Sequence, residues 1–423
     1  MSPSTTAILP NLGAEEGSDW RAIQHRPEVR VAARLWSHLF SGSTRICRPA
    51  PSDDPIGTAW TEETCAALWP QALGSVPQAP VYPWLEPDEQ ALGWLTTETL
   101  REEAAERLDL PLHGPEPACV AAVHDKAFAL EEARKEGLVP RGLAPLLTIF
   151  EPGELGDARA ACARIDSLLA GWPDWTGRRY TLKPRWGSSG RGRMAGQGGA
   201  DAARLAGGLE RLARRGGAIL EPWLERVEDL SVCVYVPPPS QASVWPTLLG
   251  SLEMLVTPSG SYRGHAGEVD ARGRVYSGQR DDEEVRAQGA WLAGRARARG
   301  FFGPCGIDAF RYREGERALL RPAVELNARS TMGLVTLGLV RRALPRVRET
   351  IGLAAENRRA FLFALLERDA WPIHSSRIVE AAGEGALALP LTLATQNEGP
   401  TPLLFFGRRL EALRRAHREV VGC

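Results

Sequence analysis

Hydrophobic and polar positions along the chain fall into three textures. Up to residue 120 periodicity is weak. WRAIQHRPEVRVAARLWSHLF (20–40) and TTETLREEAAERLDL (96–110) have helical spacing, with Thr97 as an N-cap, while 48–83 is proline-rich and reads as irregular. From 121 the pattern sharpens into alternating elements. Helical spacing marks 125–140, closing at Gly137, then 157–171, 200–215 and the amphipathic 282–300. Strand-like runs lie at LLTIF (146–150), RRYTLKP (178–184), AILEPWL (218–224) and LSVCVYV (230–236), and VWPTLLGSLEMLVTP (244–258) follows without an assigned element. SGSYRGHAG (259–267) reads as a turn. CGIDAFRY (305–312) and ALLRPAVELNAR (318–329) read as a hairpin across REGER. The remainder reads as mainly helical, with a β patch at ALALPLTLAT (386–395).

A chain of 423 residues is too long for one ordinary domain. Its 51 basic and 52 acidic residues leave a net charge of −1, which offers no global attraction to nucleic acid or an anionic membrane. No basic, apolar leader opens the sequence and no run of about 18 apolar residues occurs, so neither a signal peptide nor a membrane span is expected. The seven cysteines are scattered and never spaced as CxxC, which speaks against a disulfide framework or a structural zinc. A cytoplasmic protein with reduced thiols is the expectation.

Three groups carry chemistry. Lys183 ends a strand and is followed by Gly187-Ser188-Ser189-Gly190-Arg191-Gly192. Such a loop lets backbone N–H groups approach phosphate while the ammonium offsets its charge; an ordinary hairpin turn is the bland alternative. Glu221-Pro222-Trp223-Leu224 ends the next strand, with Glu228 just beyond. Exposed backbone there could pair with an adenine edge and a nearby carboxylate with ribose hydroxyls, although solvated acids at a strand end would look the same. Asp308 and Glu325-x-Asn327-x-Arg329 form the third group. Alternation puts Glu325, Asn327 and Arg329 on one strand face, with Asp308 on the partner strand. Two carboxylates and an amide oxygen suit Mg²⁺, and an arginine beside them suits phosphoryl transfer. Two further places could hold substrate: Arg263 and His265 in the glycine-rich turn, and the hydroxyls of Ser330 and Thr331, which could equally cap the next helix.

The order and spacing of these groups over residues 120–335 resemble the ATP-grasp superfamily, of the carboxylate–amine ligase type. The resemblance implies an α+β fold in which two α+β lobes hold ATP between them. The corresponding division is an N-terminal lobe (1–120), a small lobe (121–225), a large lobe with the metal site (226–340) and a helical C-terminal extension (341–423). By position, Lys126 and Lys183 resemble the phosphate-binding lysines, 187–192 the closing loop, Glu221 with the Trp223–Leu224 backbone the adenine-reading hinge, and Glu228 the ribose carboxylate. Asp308, Glu325 and Asn327 resemble the magnesium ligands and Arg329 the phosphoryl-stabilising arginine. The implied cofactors are ATP and Mg²⁺, two ions by the family pattern. The implied reaction activates a carboxylate as an acyl phosphate and couples it to an amine. Small molecules, amino acids or a peptide among them, are the expected substrates, and a homo-oligomer is compatible with this. A phosphotransferase and a non-catalytic nucleotide-binding protein are the alternatives. Residues 1–120 match no lobe of the family, so substrate identity is not carried over.

Overall fold

A computed structural model describes residues 6–16, 20–49, 60–86, 89–187, 192–241, 244–257, 260–353, 357–391 and 399–421. Three sheets organise the chain. The first has the order β3-β2-β1-β4-β5 and is formed by β1 (Ala7–Leu9), β2 (Arg45–Pro49), β3 (Trp60–Thr64), β4 (Ala91–Gly93) and β5 (Leu112–His113). Strands of two to five residues are too short to show alternation, which is why this parallel-centred sheet left little trace in the sequence. The helix expected over 20–40 is broken. A single 3₁₀ turn, Trp20–Ile23, precedes α1 (Pro27–Ser37), because Pro27 has no N–H for a preceding turn and suits a helix start. Thr97 caps α2 (Glu98–Leu108) as expected, accepting the Leu100 N–H at 3.2 Å.

Next come α3 (Pro117–His124) and α4 (Lys126–Lys135), separated only by Asp125, whose carboxylate caps α4. The second sheet is antiparallel, in the order β6-β9-β7-β8, from β6 (Thr148–Phe150), β7 (Arg179–Pro184), β8 (Met194–Gln197) and β9 (Ala218–Pro222). Helices α5 (Ala158–Ala170) and α6 (Ala202–Arg214) cover it through a core that includes Phe150, Ile165, Leu182, Leu209 and Leu220.

The third sheet has nine strands in the order β15-β14-β10-β11-β13-β12-β16-β18-β17. They are β10 (Arg226–Val236), β11 (Thr247–Val256), β12 (Tyr262–Asp270), β13 (Val275–Tyr276), β14 (Gly303–Glu314), β15 (Arg317–Asn327), β16 (Arg358–Leu366), β17 (Leu387–Pro390) and β18 (Thr401–Gly407). The expected β14–β15 hairpin is present, turning at Gly315 with φ +61°. Helix α7 (Asp282–Arg297) packs on β10 and α8 (Met332–Ile351) lies against β10 and β11, Gly289 of α7 meeting Val232 and Gly333 of α8 meeting Cys233. These neighbouring strand residues point to opposite faces, so the two helices lie on opposite sides of the sheet.

Two expectations change here. Residues 259–267 are not a turn, because 262 onward is strand β12. Its glycines serve close packing: a Cβ at Gly264 would sit 2.0 Å from the Phe363 carbonyl oxygen, and one at Gly267 2.5 Å from that of Tyr276. Residues 341–423 are not a mainly helical extension. Beyond the end of α8 they supply α9 (Trp371–Ala382) and α10 (Leu410–Val421), but also β16, β17 and β18, which complete the large sheet. Strand β18 is buried along its whole length, and a run apolar on both faces lacks the alternation that marks a strand. The β patch around 386–395 corresponds to β17 in its described part. No helix among the described residues is long and apolar enough to cross a membrane.

Candidate active site

The third sheet supplies one wall of the site. Asp308 on β14 is directly opposite Glu325 on β15, and Gly306 opposite Asn327. Asn327 Nδ2 donates to Asp308 Oδ2 at 3.2 Å, and Ser231 of β10 donates to Asp308 Oδ1 at 3.3 Å. The chain turns after Asn327, with the Arg329 N–H on the Asn327 carbonyl at 2.8 Å, so Arg329 lies beyond the strand rather than on it. Its guanidinium nevertheless returns to the group, donating to Asn327 Oδ1 at 3.3 Å and reaching Glu15 at 3.4 Å.

The second sheet and α4 supply the opposing cations. Lys126 opens α4; its Nζ lies 3.3 Å from Glu325 Oε1 and donates to the Gly187 carbonyl at 2.6 Å. Lys183 on β7 pairs with Glu221 on the adjacent β9. Glu221 also accepts from Arg321 of β15 at 3.1 Å. Arg321 and Glu221 are both buried and belong to different sheets, so this pair spans the two lobes.

These placements set the acidities. Burial drives the Asp308 carboxyl up to about 7, and the nearby Glu325 charge adds to it. Burial would also raise Glu325, but Lys126, Lys183 and His124 together hold it below the usual value. For Glu221 burial is likewise outweighed, chiefly by Lys183 and Arg321, which hold it at about 2. Burial lowers Lys183 despite its partner. The result is an ionised Glu325 beside an Asp308 that the protein itself leaves without adequate counter-charge. Two carboxylates and an amide with unmet negative charge fit a hard divalent cation such as Mg²⁺. Among the described residues no group of three or more His, Cys, Asp or Glu is placed to hold a metal, so the candidate set here is two carboxylates and an amide.

The remaining candidates fall differently. Gly187 is buried and Gly192 exposed with φ +75°, while Ser188, Ser189 and Gly190 lie outside the described residues. The Trp223 N–H is taken by the Arg179 carbonyl at 2.8 Å, whereas the Leu224 N–H makes no backbone hydrogen bond among the described residues. Glu228 lies 3.8 Å from Arg311, which is bound to Asp281 at the start of α7. That is the sheet face away from Asp308, so Glu228 does not join the site. Asp229 faces the other way and is buried against Arg226 at 2.5 Å, an arginine that influences both Lys183 and Glu221.

Arg263 and His265 are not brought to the site either. His265 is buried, bonded to Tyr262 at 2.7 Å and to Thr336 of α8 at 3.1 Å, and burial lowers it to about 3. Arg263 is exposed beside His417 of α10. β12 lies three strand spacings from β14, roughly 14 Å. Thr331 caps α8 through the Leu334 N–H, and Ser330 is buried with its N–H on the Trp94 carbonyl. Two residues that the sequence reading passed over stand inside the group, Arg321 and His124. Only the proximity of His124 to Lys126 in the chain hinted at the latter.

A narrow cleft of about 40 Å³ lies where residues of the first and third sheets meet. Trp84, Trp94, Tyr235 and Phe302 line it, together with Arg329 and Ser330.

No family model matches the sequence, and neither does any curated protein. Solved structures do match in shape. The N5-carboxyaminoimidazole synthase of Aspergillus clavatus, in complex with ADP and 5-aminoimidazole ribonucleotide, is 14% identical with a TM-score of 0.51, covering 100% of this chain and 99% of that one. The N5-carboxyaminoimidazole ribonucleotide synthetase of Thermus thermophilus is 17% identical with a TM-score of 0.51, over 99% and 97%. The biotin carboxylase domain of the Hydrogenobacter thermophilus 2-oxoglutarate carboxylase, holding MgADP, ADP and bicarbonate, is 14% identical with a TM-score of 0.51, over 100% and 90%. With two sheet-built lobes closing on one another and a likeness that runs the length of these enzymes, the chain has the ATP-grasp fold.

Proposed function

We propose that the chain is an ATP-dependent ligase that activates a carboxylate as an acyl phosphate and couples it to an amine, releasing ADP and phosphate. The observation that carries this reading is the meeting of Asp308, Glu325 and Asn327 with Lys126 and Lys183 from the opposing elements. Negative groups on one wall and lysines on the other suit a triphosphate with its metal. Both lysines are held by carboxylates, Lys126 by Glu325 and Lys183 by Glu221, so they are pre-placed and can exchange those partners for phosphate oxygens. Mg²⁺, when bound by Asp308, Glu325 and Asn327, would offset charge on the phosphate oxygens. Arg329 is placed to stabilise charge that develops on the transferred phosphoryl group.

The aromatic residues beside Arg329, contributed partly by the N-terminal lobe, are proposed to meet the acceptor. The Leu224 backbone is the proposed adenine contact. Glu221 serves by holding Lys183 and Arg321 rather than by reading the base.

The test is ADP release from MgATP against carboxylates and amines offered singly and in pairs. Hydroxylamine replaces the amine as a trap. An ATP-dependent hydroxamate is the expected result. A stable phosphorylated product without amide or hydroxamate would make the chain a phosphotransferase instead, and nucleotide binding without turnover across the panel would make it a non-catalytic binder.

A further inference from the structure

His124 ends α3, two residues before Lys126, and is 1% exposed. Its Nδ1 accepts the Ala328 N–H at 3.1 Å, joining segments 204 residues apart. An accepting Nδ1 carries no proton, so the neutral ring has its proton on Nε2. That Nε2–H is buried and has no hydrogen-bond partner among the described residues. A buried donor left unpaired costs its full desolvation, and native structures keep few of them without a use.

The surroundings say what would pair with it. The charges of Arg329, Lys126, Glu15 and Glu325 all act on the ring, which tilts against Trp186 at a centroid separation of 5.4 Å. Trp186 immediately precedes Gly187, the residue whose carbonyl Lys126 holds. Ala328 lies between Asn327 and Arg329, so its bond to Nδ1 fixes the ring against the segment that carries the metal and phosphoryl residues. A spare donor beside two cations calls for an anionic oxygen.

We propose that His124 is a further catalytic residue, whose Nε2–H donates to a non-bridging oxygen of the phosphoryl group in transfer. This rests on the reading of the site as a phosphoryl-transfer centre. In that step a substrate carboxylate oxygen bonds to the γ-phosphorus while the bond from that phosphorus to the β-bridging oxygen breaks, its electron pair leaving with ADP. No proton moves, and His124 keeps its own. The hydrogen bond strengthens as charge spreads over the equatorial oxygens.

Two variants separate the ring's functions. His124→Asn places an amide near Nδ1, keeping an acceptor for Ala328 and deleting the Nε2 donor. His124→Gln places its amide near Nε2 and retains the donor. The probes are MgADP and MgADP with aluminium fluoride, a mimic of the transferring phosphoryl group that needs no knowledge of the acceptor. The Asn variant should bind MgADP within about twofold of the unaltered chain yet lose at least about tenfold with aluminium fluoride, and the Gln variant should stay within about threefold. Equal binding of both probes by the Asn variant overturns the inference and leaves the nucleotide reading standing. So does an unaltered chain that binds MgADP but gains nothing from aluminium fluoride. Should the Asn variant not fold, a tenfold loss in the Gln variant is the overturning result. Failure of the unaltered chain to bind MgADP sinks the proposed function itself.

Discussion

Asp308 and Glu325 stand directly opposite each other on β14 and β15, yet their surroundings shift their acidities in opposite directions. The difference lies in position across the cleft. Glu325 reaches Lys126, whereas among the described residues Asp308 meets a serine hydroxyl, an amide and the more distant Arg329.

A pH dependence follows from Asp308. Its folded value is about 7 against an ordinary 3.8, so the native state holds a proton that the unfolded chain releases. The associated stability is present below 3.8 and is lost as pH rises through 7. Mg²⁺ held by Asp308 would stabilise the ionised form, so its effect should grow with pH. Melting curves in EDTA and in Mg²⁺, taken from about pH 5 to about pH 8, should show a widening gap that Asp308→Asn removes. A gap independent of pH would remove Asp308 from the metal set.

Glu325→Gln keeps shape and removes one charge. Turnover should fall on the order of a hundredfold, while stability changes by about 1 kcal/mol from the partly exposed Lys126 pair. Arg329→Ala should lower turnover more than MgADP affinity. Full activity of the Gln variant at low Mg²⁺ would mean that the metal sits elsewhere.

Glu221, Lys183 and Arg321 form a buried charge cluster across the lobes. Arg321→Ala removes one of the two cations on a fully enclosed carboxylate and should cost about 3–5 kcal/mol in a denaturant titration. Replacing Glu221, Lys183 and Arg321 together by uncharged residues of similar size should restore most of that, since no lone charge remains. Lys183→Ala should weaken MgATP binding, measured by calorimetry. If Arg321→Ala alone leaves stability unchanged, the cluster is not holding the lobes together.

His265 offers a contrast. His265→Ala leaves a cavity and takes one partner from the Tyr262 hydroxyl, for a loss of about 2–4 kcal/mol. MgADP affinity of the folded fraction should not change. A selective loss of substrate-dependent ADP release, with stability intact, would return His265 to the substrate site.

Strands β6, β7 and β9 and the β14–β15 hairpin were readable because their signals are local, whereas the four-residue β8 was too short to show alternation. Asp201 caps α6, Asp157 caps α5, and Gly315 turns the hairpin, each within a few residues of what it controls. Glu325 and Asn327 were readable through alternation along one strand, and Lys183 through its place before the glycine loop. Strands β16 and β18 were missed because burial on both faces erases alternation. Gly264 misled for a similar reason: it signals backbone proximity, and only the fold says whether that proximity is a turn or a neighbouring strand.

Residue type and spacing, then, determined which side chains carry chemistry suited to phosphate and metal, because strand alternation and loop composition are properties of adjacent residues. The tertiary structure decided which of them meet. Glu228 and Asp229 are neighbours of the same charge on opposite faces of β10, and what packs on each face gives one to Arg311 and the other to Arg226. Arg321 and Glu221 are 100 residues apart, and His124 and Ala328 are 204 apart. Whether such pairs form depends on how sheets stack and lobes close, which is set by the burial of the whole core and not by any short stretch of the chain.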